Sequence, residues 1–163
     1  MTRTTKTLKL KRPGTVDHDA LIRRGNKLHE ARRYAAALPW YEQALLIAPQ
    51  CPCAIYCRAN SLHMLDRDEE AQPLLRTLIQ AKPQELRDGC PEAQPRSIQL
   101  DAHFLLFLVL LDCGGSFDDA FAFAVKHLHM RRRGLNSVWS VREVRKIIAE
   151  KWRELKALVK NQR

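Results

Sequence analysis

Near the start of the chain, apolar residues recur in the steps of three and four that are typical of amphipathic helices. The large ones are Leu21, Leu28, Tyr34, Leu38, Tyr41 and Leu45, and small residues stand among them at Gly25, Ala37 and Ala44. The pattern predicts two helices, and the small residues predict that these helices cross closely. Pro49 predicts the end of the second helix, because the residue before a proline avoids the helical region.

The same pattern returns 34 residues further along the chain. Residues 24–29 read Arg-Gly-Asn-Lys-Leu-His, and residues 58–63 read Arg-Ala-Asn-Ser-Leu-His. Pro49 is matched by Pro83 at the same offset. A fixed period of this length indicates a repeat protein, in which neighbouring units stack to bury a shared core.

Residues 18–51 and 52–85 resemble the tetratricopeptide repeat, a helical hairpin of 34 residues. The first copy carries the motif at Leu21, Arg24-Gly25, Leu28, Ala37, Tyr41 and Pro49. The second copy is looser, with Ile55, Arg58-Ala59, Leu62, Ala71, Leu75 and Pro83, and both copies have Arg where the family usually has Leu. The resemblance implies an all-α fold, a right-handed α-solenoid of tetratricopeptide-type hairpins with a C-terminal capping helix.

A third copy is displaced by an inserted loop, which we place at residues 84–97 because of its glycine and prolines. The helical pattern resumes at Ile98, and Gly114-Gly115 marks the turn inside a degenerate repeat over residues 98–132. We therefore expect a repeat domain over residues 17–132. Residues 1–16 are basic, and we expect them to form a flexible N-terminal segment.

Residues 133–163 are expected to form a basic amphipathic C-terminal capping helix. Ser140 and Glu143 have the spacing of a capping box. One face carries an apolar stripe at Val141, Val144, Ile148, Trp152, Leu155 and Val159, and the opposite face is basic. Such a helix covers the exposed face of the last repeat. The apolar run Phe104–Leu111 is covered either by this tail or by a second subunit, in a homodimer through the third repeat.

Composition and charge narrow the class of protein. The chain has 163 residues, 45% of them apolar, which suits one domain with a core. No apolar run approaches the length of a membrane span, so we expect no membrane contact. The net charge is +10, with +5 in residues 1–16, −4 in residues 17–125 and +9 in residues 126–163. Any polyanion would therefore contact the two ends.

The cysteines and the missing catalytic motifs argue against a metal site and an enzyme. An odd count of five cysteines with no secretory signal predicts reduced thiols and a cytoplasmic location. Cys51, Cys53 and Cys57 with His63 are an alternative zinc set, but they lack the paired C-x-x-C spacing, so we expect no metal and no cofactor. The sequence contains no phosphate-binding loop and no hydrolase motif, which predicts a protein without enzymatic activity.

In the family that the chain resembles, the first helix of each repeat lines a concave groove that binds a peptide or helix of a partner protein. The resemblance implies the same role here, as an adaptor or chaperone. The groove positions transfer to Ile22, Arg23, Asn26, His29, Tyr56, Cys57, Asn60, His63, Leu105, Leu106 and Val109. Asn26 and Asn60 are expected to hold the backbone of the bound segment, and Tyr56 to anchor a side chain. The alternative is that these Asn and His residues are duplicated surface.

A second class of function uses the basic termini to bind nucleic acid or an acidic surface. Arg131, Arg132 and Arg133 and the final helix would form that footprint. Nucleic acid is the less favoured partner, because single-strand binding needs interleaved aromatic residues and this region offers only Trp139 and Trp152.

Overall fold

The computed structural model describes residues 17–87 and 94–161, and within these ranges the chain is all-helical and contains no strand. The eight helices are α1 (His18–Glu30), α2 (Tyr34–Ile47), α3 (Pro52–His63), α4 (Asp68–Gln80), α5 (Pro83–Arg87), α6 (Pro95–Asp112), α7 (Phe117–Arg132) and α8 (Val141–Asn161). The prediction of an all-α fold is confirmed. The expected flexible segment, residues 1–16, lies outside the described residues.

Helix positions and turns repeat with the period seen in the sequence. Helices α1 and α3 begin 34 residues apart, and so do α2 and α4. The turn inside each of these hairpins has one residue with a left-handed backbone, Arg32 with φ 57° and Asp66 with φ 56°. Gly114 takes the equivalent place between α6 and α7 with φ 75°. Only glycine adopts this conformation without strain, so the first two turns are held by their hydrogen bonds and packing.

Helix start signals explain most of the boundaries. The Ser140 hydroxyl accepts from the Glu143 N–H at 3.1 Å and the Glu143 carboxylate accepts from the Ser140 N–H at 2.8 Å, so the predicted capping box is confirmed.

The inserted loop is shorter than expected, because α5 forms within it and α6 begins at Pro95 rather than at Ile98. Proline is favoured at the first position of a helix, where its missing N–H costs nothing.

Consecutive helices pack side by side and bury three apolar clusters. The first lies between α1, α2 and the start of α3, the second between α3, α4 and α6, and the third between α6, α7 and α8. Helix α6 is buried along most of its length, since α3, α4, α5 and α7 all pack against it. None of the helices in the described ranges is both long enough and apolar enough to cross a bilayer.

The predicted close crossing of the first two helices is present at Gly25. A Cβ atom on this residue would lie 2.5 Å from the ring of Tyr41, which is fully buried. Ala37 on α2 is also fully buried. The small side chains therefore let a large aromatic ring occupy the space between α1 and α2.

Helix α8 covers the third cluster with its first half. Val144 is fully buried and Ile148 packs against the same cluster. Trp152, expected at the centre of the buried stripe, contacts the Phe117 ring at 5.0 Å but remains 42% exposed. The Lys156 ammonium lies over the Trp152 ring at 5.0 Å. The Val159 side chain lies outside the described residues.

Candidate functional site

The predicted binding face consists of α1, α3 and α6, and α3 contacts both of its neighbours. Nine of its eleven predicted residues fall into four environments: a polar network, a buried apolar block, a covered aromatic end and the edge of an open acidic cleft.

The polar network joins α1 to α2 and α3. The Asn60 amide nitrogen lies 3.3 Å from His29 Nε2, and His29 Nδ1 lies 2.8 Å from the Ser61 hydroxyl. Because an amide N–H₂ can only donate, Nε2 accepts and the proton sits on Nδ1, which donates to Ser61. Burial lowers the pKa of His29, which keeps the ring neutral in this arrangement.

The network continues through the Tyr41 phenol. Its hydroxyl donates to the side-chain amide oxygen Oδ1 of Asn26 at 2.9 Å and also hydrogen-bonds Ser61. Burial raises the pKa of Tyr41, so the phenol stays protonated and can donate. Asn26 and Asn60, predicted as a pair that binds a peptide backbone, are thus each engaged with residues of this chain.

The predicted apolar part of the groove is wrong, because these side chains are core. Leu105 is 1% exposed and Leu106 and Val109 are fully buried, all within the cluster between α3, α4 and α6. Ile22 is 7% exposed and packs between α1, α2 and α3. A helix surrounded by neighbours on all sides has no apolar face left for a partner.

Tyr56 lies at a covered end of the face. It is half-buried, and burial, with a smaller contribution from the nearby Asp101 carboxylate, raises its pKa. The linker between α7 and α8 crosses the face near Tyr56 and is bound to Asp101. The Ser137 hydroxyl donates to the Asp101 carboxylate, and so does the Val138 N–H, at 3.5 Å. Trp139 packs edge-on against Phe104 at 5.1 Å.

Sequence reasoning missed the role of Asp101. It is 6% exposed, and burial raises its pKa although the hydrogen bonds from Ser137 and Val138 lower it. The sequence signal for this role is that Asp101 precedes the long apolar run of α6. A carboxylate in such a run is expected to be buried, and a buried carboxylate needs hydrogen-bond donors close to it.

An open acidic cleft lies beside this face, at the turn end of the hairpins, and we define it by the residues around one cavity of about 410 Å³. It lies where the α3–α4 turn approaches the end of α6. The lining residues are Asp66, Arg67, Asp68, Glu69, Glu70, Asp112 and Cys113. Five carboxylates face one guanidinium, and Arg67 is already paired with Glu70 at 2.6 Å. Burial and the carboxylates of Asp68, Glu69 and Asp112 raise the pKa of Cys113.

His63, a predicted groove residue, lies at the edge of the acidic cleft. Its Nδ1 is 2.6 Å from an Asp68 carboxylate oxygen, and the ligand-type atoms of His63, Asp68 and Asp112 lie within 4.8 Å of one another. The Lys151 ammonium on α8 lies 3.5 Å from Asp112. A cation of the chain itself therefore balances part of this negative charge.

The two remaining predicted residues are separate from the acidic cleft. Arg23 is exposed and pairs with Asp17 at 3.4 Å, at the start of α1. Cys57 is half-buried beside Tyr41.

No protein-family model matches the chain, and no curated protein matches it. The resemblance to tetratricopeptide repeats therefore rests on the residues and the 34-residue recurrence described above.

Proposed function

We propose that this chain is a non-enzymatic protein–protein interaction module of the tetratricopeptide type, an adaptor or chaperone that binds a short segment of a partner protein. The observation that carries the proposal is the acidic cleft, because it is an open, charged depression where the α3–α4 turn and the start of α4 approach the end of α6. The partner segment is basic, since Lys or Arg side chains would pair with its carboxylates.

The solenoid arrangement is part of this proposal. It is supported by the equal spacing of the first helix starts, by the shared left-handed turn residues and by the packing of α1 on α2, α2 on α3, α3 on α4 and α6 on α7. A fold of this kind presents one continuous concave surface, which suits an extended or helical segment. The odd number of cysteines supports a reducing, cytoplasmic location.

The proposed mechanism is electrostatic capture followed by a local contact. The carboxylates around the cavity attract a cationic segment and set its register, and one Lys or Arg of the partner replaces Lys151 beside Asp112. The apolar residues of α6 are buried and so offer no groove to a partner. Electrostatic binding of this kind does not need one.

The test is fluorescence anisotropy of a labelled lysine- and arginine-rich peptide with the full chain. The double variant Glu69→Gln, Asp112→Asn should bind about five- to thirtyfold more weakly, at about 0.5–1 kcal/mol for each of the two exposed charge pairs. Asp118→Asn is the matched control, because Asp118 is an exposed acid that does not line the cavity. Equal binding by both variants would contradict the proposal.

The basic terminus supports a second candidate, binding of nucleic acid or another acidic surface. The exposed cations on α8 are Arg142, Arg145, Lys146, Arg153, Lys156 and Lys160. Arg131 is partly used within the chain, where it donates to the Leu135 carbonyl at 2.6 Å. Salt dependence does not separate the two candidates, since both are electrostatic. Charge reversal at Arg142, Arg145 and Lys146 should abolish binding of a labelled oligonucleotide only if this second candidate is correct.

A further inference from the structure

The last part of α8 extends past the helix on which it packs. Helix α8 follows α7 after the linker 133–140 and runs back along it, so that Trp152 contacts the ring of Phe117, the first residue of α7, at 5.0 Å. Residues 153–161 continue the helix beyond this point. At the usual rise per residue they extend it by about 13 Å. We call residues 153–161 the α8 arm.

The α8 arm is exposed and basic. Its described side chains are exposed except for Leu155, which is half-buried. The exposed ones are Arg153, Glu154, Lys156, Ala157 and Lys160. Three cations and one carboxylate give the arm a net charge of +2. Because most helical stability in proteins comes from packing against another surface, the arm would be stabilised by a partner, and its charge favours an acidic one.

The α8 arm begins beside the acidic cleft. Lys151, two residues before the arm, lies 3.5 Å from Asp112, which lines the cleft. None of the described residues around the cavity belongs to the arm. The arm contains no proline or glycine at which a helix would kink, so it leads away from the cleft at its base. One surface of the chain therefore carries an acidic cleft and, next to it, a basic helix end.

Such a surface is complementary to a second copy of itself. In a two-fold dimer the same patch of both copies meets, so a residue pair between the copies occurs twice. One rotation therefore brings each arm to the cleft of the other copy. Trp152 is 42% exposed at the base of the arm and adds an aromatic contact, of the kind that contributes most to interfaces.

We propose that the chain forms a two-fold dimer in which the α8 arm of each copy occupies the acidic cleft of the other. Lys156 and Lys160 supply cations that pair with the carboxylates of the cleft. This inference rests on the proposed function in that both use the acidic cleft, and it adds a regulation of that site. A basic partner segment has to displace the arm, so dimerisation and partner binding compete.

Sedimentation velocity of the full chain over a range of concentrations measures self-association. The unmodified chain should change from monomer to dimer as its concentration rises, and high salt should return it to the monomer by screening the charges. A chain that stays monomeric at every concentration in low salt would overturn the proposal, and the arm would then belong to the basic-terminus candidate.

Charge reversal tests which surfaces meet in the dimer. The arm variant Lys156→Glu, Lys160→Glu and the cleft variant Asp66→Lys, Glu69→Lys should each dimerise at least about tenfold more weakly, because like charges then face each other. A long cationic side chain is compatible with the backbone of Asp66, since Arg32 has the same left-handed conformation at the equivalent turn. An equal mixture of the two variants should restore the dimer, because each arm then meets a cleft of opposite charge.

The variant Arg142→Glu, Arg145→Glu is the matched control. It reverses two exposed cations of the same helix outside the arm and should dimerise as the unmodified chain does. Unweakened dimerisation of the arm variant would overturn the proposal, and so would a mixture of the arm and cleft variants that stays monomeric. Circular dichroism of each variant shows whether the helices are retained.

The labelled basic peptide separates this inference from the proposed function. The arm variant keeps every residue of the acidic cleft, so it should bind the peptide at least as tightly as the unmodified chain. If the peptide does not bind while the mixture restores the dimer, the proposed function fails and the dimer stands. If the peptide binds while the unmodified chain stays monomeric, the dimer fails and the proposed function stands.

Cross-linking provides a measurement that needs no variant. A carbodiimide joins lysine to carboxylate side chains in contact, and mixing with an isotopically labelled copy identifies the links that run between copies. These should join Lys156 or Lys160 to Asp112 or to an acid within residues 66–70. A dimer linked only through other residues would overturn the proposal.

Discussion

His29 and Ser61, which lie 32 residues apart in the chain, are joined by a hydrogen bond of 2.8 Å that connects α1 to α3. Ser61 is fully buried, and His29 is held on its other nitrogen by Asn60. The bond therefore lies inside a closed polar network between the first and second hairpins. A peptide-binding role for these side chains would require the network to open.

The Ser61 hydroxyl is expected to stabilise the fold measurably. Ser61→Ala removes the acceptor of His29 Nδ1 and a hydrogen-bond partner of Tyr41. Leaving buried polar groups unpaired costs about 1–3 kcal/mol, so the free energy of unfolding in urea should fall by that amount. Ser97→Ala, which removes an exposed hydroxyl bonded to Gln94, should change it by less than about 0.5 kcal/mol. Equal losses in the two variants would contradict the role of the network.

Gly25 is expected to tolerate no side chain while Tyr41 is present. Gly25→Ala places a Cβ atom 2.5 Å from the Tyr41 ring, and overpacking of this kind costs about 1–3 kcal/mol. Thermal unfolding of a double-mutant cycle measures the effect. In a Tyr41→Leu background, the same glycine substitution should cost less, because the smaller side chain leaves room. An unchanged cost would place the strain in the backbone.

The half-buried His103 and the buried His127 predict a loss of stability in mild acid. Burial, with help from the neighbouring Lys126 and His127, lowers the pKa of His103 to about 4, and burial also lowers the pKa of His127. The unfolded chain takes up these protons near the ordinary value of about 6.5. Between the two values the unfolded state binds more protons, so the free energy of unfolding should fall as the pH decreases from about 7 to about 4.

Urea unfolding at a series of pH values checks this prediction. His103→Leu should reduce the slope of stability against pH, since it removes one of the titrating groups. The exposed His129, replaced by Gln, serves as the control and should leave the slope unchanged. A parallel slope in the His103 variant would show that other groups cause the pH dependence.

The helices could be predicted from the sequence, but the binding face could not. Periodic apolar residues and the repeat at Pro49 and Pro83 indicate where hairpins begin and end, because these signals are local. Whether Leu105 faces a groove or the core depends on how many helices surround α6, and that is set by packing between distant segments. The acidic residues 66–70 were visible in the sequence, whereas the fold alone brings Asp112 to them.

Asp101 is expected to hold the linker between α7 and α8 in place. Its carboxylate accepts from the Ser137 hydroxyl and the Val138 N–H, so Asp101→Ala removes both acceptors at once. The linker should then detach, and trypsin should cleave several-fold faster after Arg132 and Arg133, which are exposed. Release of Trp139 from Phe104 should shift the tryptophan fluorescence to longer wavelength. Asp118→Ala is the control, an exposed acid at the start of α7, and it should leave both readouts unchanged. Cleavage at the unmodified rate in the Asp101 variant would mean that packing of Trp139 alone fixes the linker.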